Sequence, residues 1–159
     1  MKRPVSIAAV VLVAACFPAW AAESEYSGTF CGHSKATVLQ AGPELTLLTS
    51  EAWAIQTPES SFKPWANATV HCVGYRRVIQ GKATAIGACR WTDSAGDTFT
   101  GEYRDVPGEP GLWTFLGGTG KWQGIQGTGT YKLAGIGKPA PDGSTQYCID
   151  HHGTYTLPQ

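Results

Sequence analysis

Along most of the chain, apolar and polar residues alternate in short runs broken by Gly, Pro, Asp and Ser. No window sustains an i, i+3, i+4 apolar stripe. Runs rich in β-branched and aromatic residues between such clusters read as strands, because successive side chains on a strand point to opposite faces. The pattern predicts strands near residues 26–33, 35–40, 44–56, 67–79, 82–92, 97–105, 111–117, 128–134 and 146–156, and so an all-β chain.

One hairpin can be placed in register. Val70 to Ile79 and Lys82 to Trp91 flank Gln80-Gly81, a two-residue loop suited to a primed turn with Gly at positive φ. Ile79 then faces Lys82, Val78 faces Ala83, and the count runs on to Cys72 opposite Cys89. That pair falls at a non-hydrogen-bonded site, where Cα atoms approach to about 4.5 Å, within reach of a disulfide.

The segment Gly117 to Tyr131, GGTGKWQGIQGTGTY, breaks the alternation. It is not a phosphate loop: Phe115 stands where the first glycine of G-x-x-x-x-G-K-[ST] belongs, and Trp122 follows Lys121. The dinucleotide fingerprint fails at Gln123, and no helix pattern follows to supply an N-terminal dipole. Trp122, Ile125 and Tyr131 interleave with the glycines, which argues against a flexible linker. A crossover between two strands fits, with a turn over 119–124 and Trp122 or Ile125 capping one end of the fold. Gly28-Thr29-Phe30, Gly129-Thr130-Tyr131 and Gly153-Thr154-Tyr155 each place an aromatic after Gly-Thr, and read as similar strand entries turning an aromatic inward.

The N-terminus sets the compartment. Lys2 and Arg3 precede an uncharged, mainly apolar run from Val5 to Ala15, and Ala19-Trp20-Ala21 forms an A-x-A cleavage site, so residues 1–22 read as a signal peptide. Val13-Ala14-Ala15-Cys16 also resembles a lipobox, which would instead leave a lipoprotein anchored at Cys16. Residues 23–159 form a single domain, secreted or periplasmic. Its ten basic and twelve acidic residues, with no basic patch, make nucleic acid a poor partner, and no second apolar run predicts a membrane span.

Four cysteines remain after cleavage: Cys31, Cys72, Cys89 and Cys148. An even count in an oxidising compartment argues for two disulfides. With Cys72–Cys89 set by the hairpin, the second is Cys31–Cys148, tying the first strand to the last. That suits an antiparallel barrel, whose closure removes exposed edges; a β-sandwich with adjacent terminal strands fits as well.

The run from Phe115 to Tyr131 resembles the GGTGKF-x-G-x-x-G-x-G-x-Y segment of the allene oxide cyclase and dirigent barrel superfamily, and looks most like its small exported bacterial relatives. The resemblance implies an eight-stranded antiparallel barrel with a largely apolar cavity. It further implies oligomers, commonly trimers, and guided cyclisation or radical coupling of hydrophobic small molecules. No catalytic residue of the plant enzymes can be placed on this sequence. The two disulfides and the histidine-rich C-terminus also depart from the plant pattern.

Candidate chemistry is sparse. In Thr98 to Asp105, alternation puts Thr98, Thr100, Glu102 and Arg104 on one face and Phe99, Tyr103 and Asp105 on the other. Facing the lumen, Glu102 and Arg104 would form a catalytic acid–base pair; facing water, they are an ordinary polar strand surface. Arg76 shares the face of Cys72, and Arg90 takes the opposite one. His33, His151 and Asp150 lie near the Cys31 and Cys148 positions and make a weak metal site, since His151 and His152 point to opposite faces; packed or solvated histidines explain the same spacing. No cofactor is implied. Trp53, Trp65, Trp91, Trp113 and Trp122 suit core and barrel-end packing, while a barrel of this size also holds one small ligand. Trp91, Trp113, Trp122 and Tyr103 are the candidate ligand contacts. The chain reads as an exported barrel that binds a small apolar molecule, or acts in an envelope interaction, without catalysis. The alternative is a cyclase or isomerase acting inside the barrel, and a homo-oligomer is compatible with either.

Overall fold

The alternation resolves into eight strands in a computed structural model that describes residues 22–59, 65–105 and 107–158. They are β1 (Ser24–Gln40), β2 (Leu45–Gln56), β3 (Thr69–Ile79), β4 (Lys82–Thr92), β5 (Thr98–Arg104), β6 (Gly111–Gly118), β7 (Gln126–Ile136) and β8 (Ser144–Thr156). Each pairs antiparallel with the next, and β1 pairs with β8, so the sheet is a closed barrel rather than a sandwich. Closure leaves no strand edge with unpaired N–H and C=O groups. The runs 26–33 and 35–40 are one strand, not two: the polar stretch around Ser34 continues the ladder, with β2 on one side and β8 on the other.

The predicted hairpin register holds residue for residue. Ile79 faces Lys82 and Cys72 faces Cys89, across a turn in which Gln80 and Gly81 sit at φ 48° and 77°. Both disulfides form, Cys72–Cys89 with Cα atoms 4.0 Å apart and Cys31–Cys148 with Cα atoms 4.1 Å apart. Alternation gives them different surroundings. Cys72 and Cys89 are buried on the inner wall, whereas Cys31 follows inward Phe30 and so bridges to Cys148 on the outer face of the closing seam.

One end of the barrel is packed solid. Phe99, Phe115, Tyr155 and Tyr26 converge on Trp65, which the β2–β3 connection tucks into the lumen. The predicted strand start at 67 is therefore two residues early. Asn67 takes a left-handed conformation at φ 62°, and Ala68 donates its N–H back to the Trp65 carbonyl at 2.9 Å.

Over this layer lies the glycine-rich crossover. Gly120–Trp122 makes a single 3₁₀ turn, and Trp122 and Ile125 are almost fully enclosed. Trp122 Nε1 donates to Asp93 Oδ2 at 2.9 Å, and Lys121 Nζ meets the same oxygen at 2.8 Å. Asp93 is buried, which by itself raises its pKa. The hydrogen bonds from Lys121, Trp122 and the Ala95 amide outweigh burial and leave it below the usual carboxylate range. Gly120 is required twice: its φ is 53°, and a Cβ there would lie 1.9 Å from Asp97 Oδ1.

Interior glycines elsewhere make room for rings from the next strand or the one beyond it. A Cβ on Gly101 would lie 2.0 Å from Trp113, one on Gly74 1.9 Å from the Tyr103 hydroxyl, and one on Gly111 2.1 Å from the Tyr131 ring. Small residues facing large ones fill a narrow barrel at interior density.

Candidate ligand-binding cavity

The half of the barrel away from the aromatic plug holds a cavity of about 610 Å³, within the range of small-molecule sites. Its floor is the upper surface of the plug: Phe30, Trp91, Trp113 and His151, with the Cys72–Cys89 bridge in the wall. Trp91 stacks on Phe99 with centroids 5.2 Å apart and meets Trp113 edge-on at 4.8 Å. These rings hold one another, so the floor is a preformed apolar surface.

His151 is buried at this floor, and its Nε2 lies 2.9 Å from Gln56 Oε1. Gln56 is itself enclosed, and its Nε2 donates to the Thr29 carbonyl at 3.0 Å. Burial pushes the His151 imidazole down to about 4, against a smaller upward pull from Asp150. It is neutral at pH 7.

Nearer the mouth the wall turns polar. Tyr131 donates its hydroxyl to Asp105, whose other oxygen lies 3.8 Å from Arg76 Nη2. Tyr103 stands edge-on to Tyr131, with centroids 6.1 Å apart, and shares a hydrogen bond with Ser50. Burial raises the pKa of Tyr131 and Tyr103, and the Asp105 charge raises both further. Tyr147, raised by burial to about 12, completes this ring of phenols. All three stay protonated at neutral pH and act as hydrogen-bond donors. Leu48, Leu133 and Ile136 line the outer rim.

Three of the four expected ligand contacts, Trp91, Trp113 and Tyr103, line this cavity; Trp122 is sealed in the plug behind the floor. The inward face of β5 carries Phe99, Gly101 and Tyr103, which leaves Glu102 and Arg104 exposed on the outer surface. Of the two placements open to Glu102 and Arg104, the polar outer face is the one they take; the ionisable groups that line the lumen include Asp105, Arg76, the tyrosines and His151. The pairing of Arg76 with a carboxylate and the outward placement of Arg90 follow the alternation. His33 is exposed and Asp150 faces outward, bound by the Thr29 hydroxyl at 2.7 Å, while His151 faces inward. The three are not brought together, and among the described residues no group of three or more His, Cys, Asp or Glu side chains is placed to hold a metal ion. The sequence places Tyr131 inward and Asp105 on the face of Phe99 and Tyr103 without marking either as a site residue, and it does not single out Tyr147 or Gln56. The inward alternation from Phe99 was the available signal for Asp105; Gln56 had none, since its partner lies 95 residues away.

This architecture is that of a dirigent-like barrel. Two solved structures of pterocarpan synthase dirigent proteins share it: GePTS1 at 16% identity and TM-score 0.54, covering 87% of this chain and 94% of that one, and PsPTS1 at 13% identity and TM-score 0.56, covering 87% and 97%. No family model matches the chain, and no curated protein matches it in sequence. At these identities the likeness speaks for the fold. Among the described residues no helix is long and apolar enough to cross a membrane.

Proposed function

We propose that the protein binds one small, largely apolar, ring-containing molecule inside the barrel and holds it without transforming it. The observation that carries this is the form of the cavity: about 610 Å³, closed at one end by the aromatic plug, with a preformed floor of Phe30, Trp91 and Trp113. Flat apolar surfaces favour ring systems, and the Tyr103 and Tyr147 hydroxyls at the mouth supply orienting donors. The protein acts outside the cytoplasm. The two disulfides support this, as does the leader-like stretch of residues 1–22, of which residues 1–21 lie outside the described part of the chain. The lipoprotein alternative at Cys16 lies outside it too. Exposed Trp53, Val73, Tyr75 and Ile86 on the outer faces of β2 to β4 supply apolar surface for an envelope contact or self-association.

A second reading, a cyclase or isomerase, rests on one feature. Asp105 is held by Tyr131 within the lumen wall, and a carboxylate–phenol pair at that place supplies a proton donor and an acceptor to a bound molecule. Its similarity in fold to the pterocarpan synthase dirigent proteins is compatible with this reading and does not assign it.

Native mass spectrometry of gently purified protein tests the proposal. The expected spectrum contains a small-molecule adduct that is lost on mild unfolding. A bare chain that also takes up no apolar aromatic from an added panel overturns the binding reading, and an adduct recovered chemically altered favours the enzyme.

A further inference from the structure

The mouth of the cavity carries phenol donors, whereas the floor holds a group that accepts. The Thr29 carbonyl only accepts hydrogen bonds, so the Gln56 atom 3.0 Å from it must be the amide nitrogen. That orientation turns Gln56 Oε1 toward His151, at 2.9 Å from Nε2. A carbonyl oxygen again only accepts, so Nε2 must carry the proton. The tautomer is thereby fixed by a carbonyl, an amide and a ring in series, all within the enclosed barrel. Nδ1 is left as a bare lone pair on a residue that lines the cavity floor, and His151 has no other hydrogen bond among the described residues.

We infer that His151 Nδ1 is the specificity-determining acceptor of the cavity and selects ligands that bring a hydrogen-bond donor, a hydroxyl on an aromatic ring, to the floor. This rests on the binding reading above and narrows it. The rings around His151 dictate the shape of what reaches it. Phe30 stands edge-on to it with centroids 5.5 Å apart, and Trp91 lies at 6.2 Å, so the donor has to sit on a flat, apolar body. A hydroxyl donates to the bare nitrogen, whereas an ether or a carbonyl gives His151 nothing. The imidazole remains an acceptor throughout the neutral range, because burial keeps it unprotonated there.

The test uses the mature chain with three probes of one shape: naphthalene, 2-methoxynaphthalene and 2-naphthol. Affinities are read by calorimetry, and the His151 ring nitrogens by nitrogen NMR. All three probes are expected to bind. 2-Naphthol should bind about tenfold more tightly than the methoxy compound, the equivalent of one buried hydrogen bond. The Nδ1 resonance should move on adding 2-naphthol and stay in place with 2-methoxynaphthalene. His151→Phe should bring the affinities for 2-naphthol and 2-methoxynaphthalene together, and the NMR readout on unaltered protein decides the matter if that variant fails to fold. Equal affinities together with a silent Nδ1 resonance overturn the inference and leave the binding reading standing. Failure of all three probes to bind overturns the binding reading, and the inference with it.

Discussion

Acidification should strip stability from this barrel through one buried histidine. His151 titrates at about 4 in the folded protein, against an ordinary 6.5. Above pH 6.5 neither state binds the proton, and the fold is at its full stability. As pH falls below 6.5 the unfolded chain takes up the proton while the folded ring refuses it, so stability declines until the folded value is reached. The depression corresponds to about 3 kcal/mol, lost between about pH 6.5 and pH 4 with a slope of up to about 1.4 kcal/mol per pH unit. His151→Gln is the control, since a glutamine amide still donates to Gln56 Oε1 and carries no titrating group. Urea unfolding of both proteins across this window should show the wild type losing about 3 kcal/mol more than the variant. Asp93 and Asp142 also titrate below their usual range, but their contributions fade at lower pH and cancel in the difference. Parallel stability curves for the two proteins would refute the reasoning, because they would place the imidazole in contact with solvent.

The other expectations concern the frame. Loop-entropy arguments predict that replacing Cys31–Cys148, 117 residues apart, costs about 5 kcal/mol, and replacing Cys72–Cys89, 17 apart, about 3, each read from denaturant midpoints of paired Cys→Ala variants. Asp93→Ala should destabilise by about 2–3 kcal/mol by removing the carboxylate acceptor of the buried Trp122 N–H, and Asp93→Asn by clearly less because it keeps an acceptor; equal losses in thermal unfolding would argue against the Trp122 bond. Gly101→Ala forces a Cβ into the Trp113 ring and should cost about 1–3 kcal/mol with an altered near-ultraviolet circular dichroism signal, whereas Gly135→Ala, which meets nothing within 4 Å, should leave that signal unchanged. The intact mass of exported protein should correspond to a chain starting at Ala22 or Glu23, and a lipid-bearing chain starting at Cys16 would contradict ordinary cleavage.

Much of the frame was legible because its signals are local or arithmetical. Gln80-Gly81 fixes a turn, the turn fixes a register, and the register delivers Cys72 to Cys89; parity then leaves Cys31 for Cys148. The aromatics after each Gly-Thr, Phe30, Tyr131 and Tyr155, all turn inward as that shared pattern predicts. What alternation cannot supply is the choice of face. Phe99 and Tyr103 could be separated from Glu102 and Arg104 in the sequence, but only the closed barrel shows that the aromatic set is inside. The cavity floor was hidden for a different reason. Gln56 and His151 sit in the first and last quarters of the domain's ladder order and meet only because β1 lies between β2 and β8. Trp65 was legible as a packing residue, yet its entry into the lumen depends on a connection that carries no strand pattern.

The central claim is that the lumen takes a small molecule at the aromatic floor. Titration with 1-aminoanthracene, followed by energy transfer from the tryptophans, tests it most directly when the wild type is compared with Ser34→Trp, which sets a bulky ring in the cavity wall. The account predicts saturable binding of one probe per chain in the wild type and none in the folded variant. Absence of saturable binding, or equal binding by both proteins, would contradict it.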